Sequence, residues 1–127
     1  MNKQYAAGFF DGEGCIIITK TTKQYALRCT LGNTNREVLE QLKSQWGGCI
    51  KLHNGFKVKA GWQWDIAANQ AAHFLTDISP FLVIKREEAL LGLEFQQEVS
   101  NRTKHSNSPE DWALREGYKL ALSEMKK

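Results

Sequence analysis

The sequence predicts an α+β domain: one helix, then two strand–strand–helix units, then further helices toward the C-terminus. Two observations carry that expectation. Paired runs rich in β-branched and apolar residues occur twice, and each pair is followed by apolar residues at helical spacing. Glycine, proline and capping-type residues fall at the joints between the runs. At 127 residues the chain is one domain's worth and long enough to bury one core. Residues 1–127 are therefore read as a single domain, with a core over about 4–98 and a helical extension over about 99–127.

The opening stretch "YAAGFFDGEGC" (Tyr5 to Cys15) reads as a helix over residues 4–12. "CIIITKTT" (Cys15 to Thr22) and "YALRCTL" (Tyr25 to Leu31) follow as strands of a hairpin. In "TNREVLEQLKSQWGG", Val38, Leu39, Leu42 and Trp46 recur at helical spacing. Thr34 with Glu37 forms a capping box there, and Gly47 and Gly48 stop the helix.

The second unit begins with "CIKLH" (Cys49 to His53), turns near Asn54 and Gly55, and returns as "FKVKAGWQWDI". That return alternates, with Phe56, Val58, Ala60, Trp62, Trp64 and Ile66 on one face. "NQAAHFLTDISP" is the next helix, capped by Asn69 and ended before Pro80. "FLVIKREEALLGLEFQQEV" predicts a further helix with Leu90 and Leu93 facing inward. Ser108 and Pro109 carry the start signals of a last one.

The four strands are expected to form one antiparallel sheet with helices on its apolar face. Simple alternation then places Thr19, Thr21, Arg28, Thr30, Lys51, His53, Lys57, Lys59, Gln63 and Asp65 on the other face, with Ile17 close to the acids and Lys23 in the hairpin connection. Two readings of that face stand open. Antiparallel sheets commonly have one solvated face. A ribbon of Arg, Lys, Gln, Thr and Asp can equally enter a DNA major groove and read base edges.

Composition narrows the classes. The net charge of +3 and pI near 8.8 are only mildly basic, so where the charges fall matters more than their sum. No window reaches the roughly 18 consecutive apolar residues of a membrane span, and "MNKQYAAGFF" lacks a signal peptide's long apolar region. Cys15, Cys29 and Cys49 make an odd count without metal-type spacing, which suits a reducing, intracellular compartment. Organelle matrix and bacterial or phage-infected cytoplasm fit equally.

The opening segment carries the most chemistry. Within a helix over 4–12, Gly8 and Gly12 lie one turn apart on one face with Ala7 beside them, which permits close approach of a second helix. Glycine lowers helix stability by about 1 kcal/mol relative to alanine, so two on one face favour approach over local stability. Glu13 falls at the helix C-terminus, where free carbonyls and the helix dipole are already negative. Two such helices side by side would gather two Glu13 carboxylates and several carbonyls into a cluster of hard oxygen donors suited to Mg²⁺. Metal held between two DNA strands would assist phosphodiester hydrolysis. Asp11 caps locally or supports the helix pair. The later acidic ligands of an EF-hand and the Gly-Lys-Ser/Thr ending of a P-loop are missing.

"AAGFFDGEG" (Ala6 to Gly14) resembles the nine-residue motif that names the LAGLIDADG homing endonucleases. Ala7, Gly8, Asp11 and Gly14 match, Phe9 and Phe10 are apolar equivalents, Gly12 takes the small position and Glu13 the second acidic position. The departures are Ala6 for the leading Leu and Glu13 for the commoner Asp, which keeps the carboxylate. The resemblance runs from about Tyr5 to Glu98, through "LGNTNREVLEQLKSQWGG", "WQWDI" and "HFLTDISPFLVIKREEALL", and fades beyond Val99.

The resemblance implies an αββαββα fold whose saddle-shaped sheets straddle double-stranded DNA. Family members with one motif act as homodimers and those with two as pseudo-symmetric monomers. This single-motif chain is thus expected to dimerise through Ala7, Gly8, Asp11 and Gly12 and to cut a long, nearly palindromic duplex site, leaving short 3′ overhangs. By position, Glu13 is the metal-binding acid, with the Gly12 carbonyl as a further ligand and Mg²⁺ as cofactor, other divalent cations substituting. Lys85 in "PFLVIK" stands at the family's basic active-site position; its plainer reading is a surface lysine at a helix start. Asn33 falls near the polar, water-positioning residue after the second strand, and also just precedes the Thr34 cap. The alternative on the same scaffold is a non-cleaving protein, either an intron RNA maturase or a DNA-binding regulator.

Overall fold

The computed structural model describes residues 1–53, 61–101 and 108–127. Helix α1 (Lys3–Glu13) leads into strands β1 (Gly14–Lys20) and β2 (Tyr25–Asn33), then α2 (Arg36–Trp46). Strands β3 (Cys49–His53) and β4 (Gly61–Ala67) are followed by α3 (Ala68–Ile78), a single 3₁₀ turn at Ser79–Phe81, α4 (Arg86–Asn101) and α5 (Pro109–Met125). The order is the predicted α+β one. The strands form one antiparallel sheet in the order β1-β2-β4-β3, so the two hairpins meet through their second strands.

Alternation sorts the sheet into two faces. Ile16, Ile18, Leu27, Cys29, Leu31, Trp64 and Ile66 turn to the helices and are buried. Phe74 of α3 is the hub beneath them. Its ring meets Phe10, Trp46 and Trp64 edge-on at centroid distances of 5.2, 4.9 and 5.0 Å, each pair adding about 0.5–1.5 kcal/mol beyond the area it buries. One residue from each of α1, α2 and β4 is thereby fixed against α3. Gly47 and Gly48 end α2 at φ of 91° and 89°, a region in which a side chain is strained. Trp64 Nε1 donates to the Gly47 carbonyl at 2.8 Å, tying that turn to the core.

Several joints differ from the sequence expectation, each for a tertiary or competing local reason. Strand β1 stops at Lys20, because Thr21 Oγ1 accepts from the N–H groups of Lys23 and Gln24 and closes a tight turn. Strand β2 runs on to Asn33, so the cap of α2 moves from Thr34 to Asn35, whose Oδ1 accepts from Val38 N–H at 3.3 Å. Glu37 then stands one position too early to complete a capping box. Helix α3 starts after Ala67 without a side-chain cap. Asn69 lies inside its first turn and accepts instead from Gln96 Nε2 of α4 at 3.0 Å. Helix α4 begins later than expected, at Arg86, which turns Ala89, Gly92 and Phe95 inward and leaves Leu90 exposed. The expected turn at Asn54 and Gly55, and the first part of the return strand, lie outside the described residues.

The C-terminal helix α5 braces the sheet. Ser108 caps it, accepting from Asp111 N–H at 3.2 Å, with Pro109 at its first position. Trp112 packs edge-on against Tyr25 at 4.7 Å. The Tyr25 hydroxyl donates to the Glu116 carboxylate, and Lys20 Nζ stands 3.7 Å from it. The Tyr25 hydrogen bond, reinforced by the Lys20 charge, holds Glu116 below its ordinary value of 4.5. A carboxylate held low in the folded state stabilises it above that ordinary value, and the stabilisation is lost as pH falls through the lowered one. Thermal melts should therefore show the native protein above a Glu116→Gln variant at neutral pH, with the gap closing on acidification below 4.5. A gap that stays constant with pH would separate α5 docking from this carboxylate.

Candidate active site and nucleic-acid interface

Asn2 caps α1 at its start, accepting from Tyr5 N–H at 2.7 Å. At its end Gly14 passes directly into extended backbone, and its N–H donates to the Phe10 carbonyl. A Cβ on Gly14 would stand 2.2 Å from the Phe10 ring, so a side chain there would displace a core aromatic. This abrupt exit leaves Gly12 and Glu13 exposed at the helix C-terminus.

Lys85 comes to the same place from 74 positions further along the chain. Its Nζ donates to the Asp11 carbonyl at 2.7 Å, putting an ammonium where the helix dipole favours a cation. The Asp11 carboxylate holds the approaching segment, accepting from Val83 N–H at 2.7 Å and Lys85 N–H at 3.0 Å. Those two bonds keep residues 82–85 out of helix and explain the late start of α4. Asp11, expected at a helix-pairing surface, thus turns into its own chain. Glu13, expected as the metal-binding acid, and Lys85, expected as the basic residue near the scissile phosphate, are brought to one helix end.

The open face of α1 carries Gly8 and Gly12, and a Cβ added to either would meet nothing within 4 Å. Ala7 is not on it: its side chain is fully buried with Ala6 and Phe10 in the chain's own core. Tyr5 is exposed one turn before Gly8. The segment pinned by Asp11 adds two adjacent apolar side chains, Val83 at 81% and Ile84 at 73% exposure. Sequence reasoning missed both, because a helix reading of "FLVIK" gave no cause to look for exposed apolar groups there.

The polar sheet face follows the register. Cys15, Thr30, Asp65 and Cys49 form one row across the four strands, and Ile17, Arg28 and Ala67 the next. Thr19, Lys51, His53 and Gln63 share the same face. Two expected members differ. Thr21 lies in the hairpin turn, where its hydroxyl is occupied as a turn acceptor, beside Lys23, which was expected there. Asp65 is on the face but buried beneath its neighbours. Lys57 and Lys59 lie outside the described residues. Asn33 shares strand parity with Cys29 and Leu31, which turn to the core, so it is off the polar face. Its Oδ1 accepts from Asn35 N–H at 2.8 Å. Lys126 of the C-terminal end donates to the Ile16 carbonyl on the outer edge of β1, 3.4 Å from Cys15 Sγ.

A sequence profile described as LAGLIDADG endonuclease matches residues 6–82, more than half of the chain. The chain belongs to the LAGLIDADG endonuclease family. Solved structures of LAGLIDADG and other homing endonucleases share its fold. I-CvuI, in complex with its target in the presence of Ca, superposes with a TM-score of 0.80 at 18% identity, over 97% of this chain and 80% of that one. I-Vdi141I, an archaeal intron-encoded homing endonuclease complexed with DNA, gives 0.81 at 18% identity, over 98% and 84%. I-AabMI, a LAGLIDADG meganuclease bound to uncleaved DNA, gives 0.74 at 22% identity; 94% of this chain covers 44% of that one. Comparison with curated protein sequences finds no match. For this LAGLIDADG protein, identities this low establish the fold, and the residue roles rest on the site itself.

Proposed function

We propose that this LAGLIDADG protein is a homodimeric, Mg²⁺-dependent endonuclease that hydrolyses double-stranded DNA at a long, nearly palindromic site and leaves 3′ overhangs. The observation that carries the reading is the end of α1. An exposed carboxylate, Glu13, sits beside an open glycine face, with the Lys85 ammonium held at the Asp11 carbonyl next to it.

Each part has a physical task. Gly8 and Gly12 leave room for the same helix of a second copy, and exposed Val83 and Ile84 give that contact apolar area. Pairing the helices brings two Glu13 carboxylates together across the dyad. Among the described residues of one chain, no three His, Cys, Asp or Glu side chains cluster as a metal site. The donor set therefore fits a divalent cation as half of a site: Glu13 and the Gly12 carbonyl are hard oxygens of the kind Mg²⁺ takes, and DNA phosphates with the second copy supply the rest. Mg²⁺, when bound, supplies water activation and charge stabilisation at the leaving oxygen, and other hard divalent cations suit the same donors. Lys85 offers a cation to the scissile phosphate as negative charge builds on it. Arg28, Lys51, Gln63, Thr30 and Thr19 face the duplex from the sheet, where bidentate Arg or Gln contacts discriminate bases.

The test is selection of cleaved sites from a randomised duplex library with Mg²⁺, with Glu13→Gln as control. The expected product is a two-fold symmetric site family cut with 3′ overhangs, absent from the control. Enriched sites without symmetry would count against the homodimer. Binding without cleavage would move the protein to the non-cleaving reading.

A further inference from the structure

Among the described residues on the polar sheet face, Asp65 alone is buried, its side chain 6% exposed. The groups that cover it come from three strands. Arg28 of β2 reaches Oδ1 at 4.0 Å, Lys51 of β3 reaches Oδ2 at 3.5 Å, and Gln63 Nε2, two residues back on β4, lies 3.4 and 3.3 Å from the two oxygens. The arrangement is asymmetric in exposure. The side chains of Arg28 and Lys51 remain 37% and 61% exposed above a carboxylate that solvent hardly touches.

A carboxylate at the surface of a duplex-binding sheet would repel phosphate, and one buried beneath its neighbours cannot reach a base edge. What it does is hold those neighbours. Arg and Lys each have several rotatable bonds, whose freedom an unanchored side chain would lose on meeting a base. A buried partner removes part of that freedom beforehand. It also fixes which end of the Gln63 amide turns inward, leaving Oε1 for the groove, and reduces the charge that the two cations offer to phosphates.

Resting on the DNA-binding reading above, we infer that Asp65 is a positioning residue for base recognition: it presets Arg28, Lys51 and Gln63 for base edges and withholds the two cations from the phosphate backbone. It is not itself a base reader.

The test is equilibrium binding of the whole chain to a randomised duplex library without divalent metal, the bound fraction being sequenced at several salt concentrations. Native protein, Asp65→Asn, Arg28→Gln and the double variant are compared. Positions at which Arg28→Gln alters the base profile mark what Arg28 reads. At those positions Asp65→Asn should lower base preference by about tenfold. Its binding to random duplex should tighten, and its log–log salt slope should steepen by about one, because a released cation now pairs with phosphate. At the positions Arg28 reads, though not at ones read by Lys51 or Gln63, the double variant should be no worse than Arg28→Gln alone. Asp65→Ser, smaller and also uncharged, is read in the same way if the Asn variant does not fold. An unchanged profile and slope, a uniform loss of affinity at unchanged preference, additive effects in the double variant at the positions Arg28 reads, or failure of both Asp65 variants to fold would each overturn the inference. Native protein that enriches no sequence at all would instead overturn the DNA-binding reading.

Discussion

Glu13→Gln is expected to lower DNA cleavage by on the order of a thousandfold or more, about 4 kcal/mol in barrier height, while site binding stays within a few-fold of the native protein. The substitution keeps the side chain's size and removes only its charge. Glu13 is exposed at the end of α1 and makes no contact that the core needs, so the variant should melt no lower than the native protein. It should bind its site at least as well without metal, since one negative charge facing phosphate is gone. Single-turnover cleavage with Mg²⁺, alongside equilibrium binding on the same duplex, separates the two quantities. Undiminished cleavage would remove Glu13 from the metal site. Parallel loss of binding and cleavage would make it a binding residue.

Gly8→Leu should give a folded protein that no longer dimerises. The two effects have opposite signs, which makes them separable. Within one chain a side chain at position 8 projects into open space, with nothing within 4 Å of its Cβ. Leu is also a better helix former than Gly by about 0.8–1.0 kcal/mol, so α1 itself is strengthened. Between two closely packed helices, the same side chain is an overpacking error of about 1–3 kcal/mol or more on each side of the dyad. Sedimentation should show the dimer dissociation constant rising at least 10-fold, in order of magnitude, with circular dichroism unchanged. On the proposed reading one chain holds half of the donors, so cleavage should fall with the dimer. A variant that still sediments as a tight dimer would place the interface elsewhere, and the exposed pair Val83 and Ile84 would be the next surface to probe.

The order of elements was legible because its signals are short in range. A cap, a glycine stop or a helical repeat acts over about four residues, and strand alternation over two. That is why the αββαββα order, the core faces of β1, β2 and β4, the Gly47–Gly48 stop and the Ser108–Pro109 start could all be read from neighbouring letters. Glu13 was legible for the same reason, as an acid at a helix end between glycines.

Where two local signals competed, the reading slipped. Asn33, Thr34 and Asn35 are all capping-type residues in a row, and the length of β2 decided that Asn35 takes the cap. Ser, Thr, Asn and Asp side chains can each satisfy backbone N–H groups, so composition alone does not choose among them.

Contacts across the chain decided the rest. Asp11 and Lys85 are 74 positions apart, and no local pattern in "FLVIKREEALL" shows that its first residues will be drawn out of helix by a carboxylate on α1. The same two bonds bring Lys85 to the Asp11 carbonyl and leave Val83 and Ile84 exposed. Alternation placed Asp65 on the polar face, but its burial depends on Arg28 and Lys51 arriving from strands that only the β1-β2-β4-β3 order sets beside it. Local backbone preference and periodicity thus specify the elements and their faces, whereas which side chains meet at the end of α1 and around Asp65 depends on packing between segments distant in sequence.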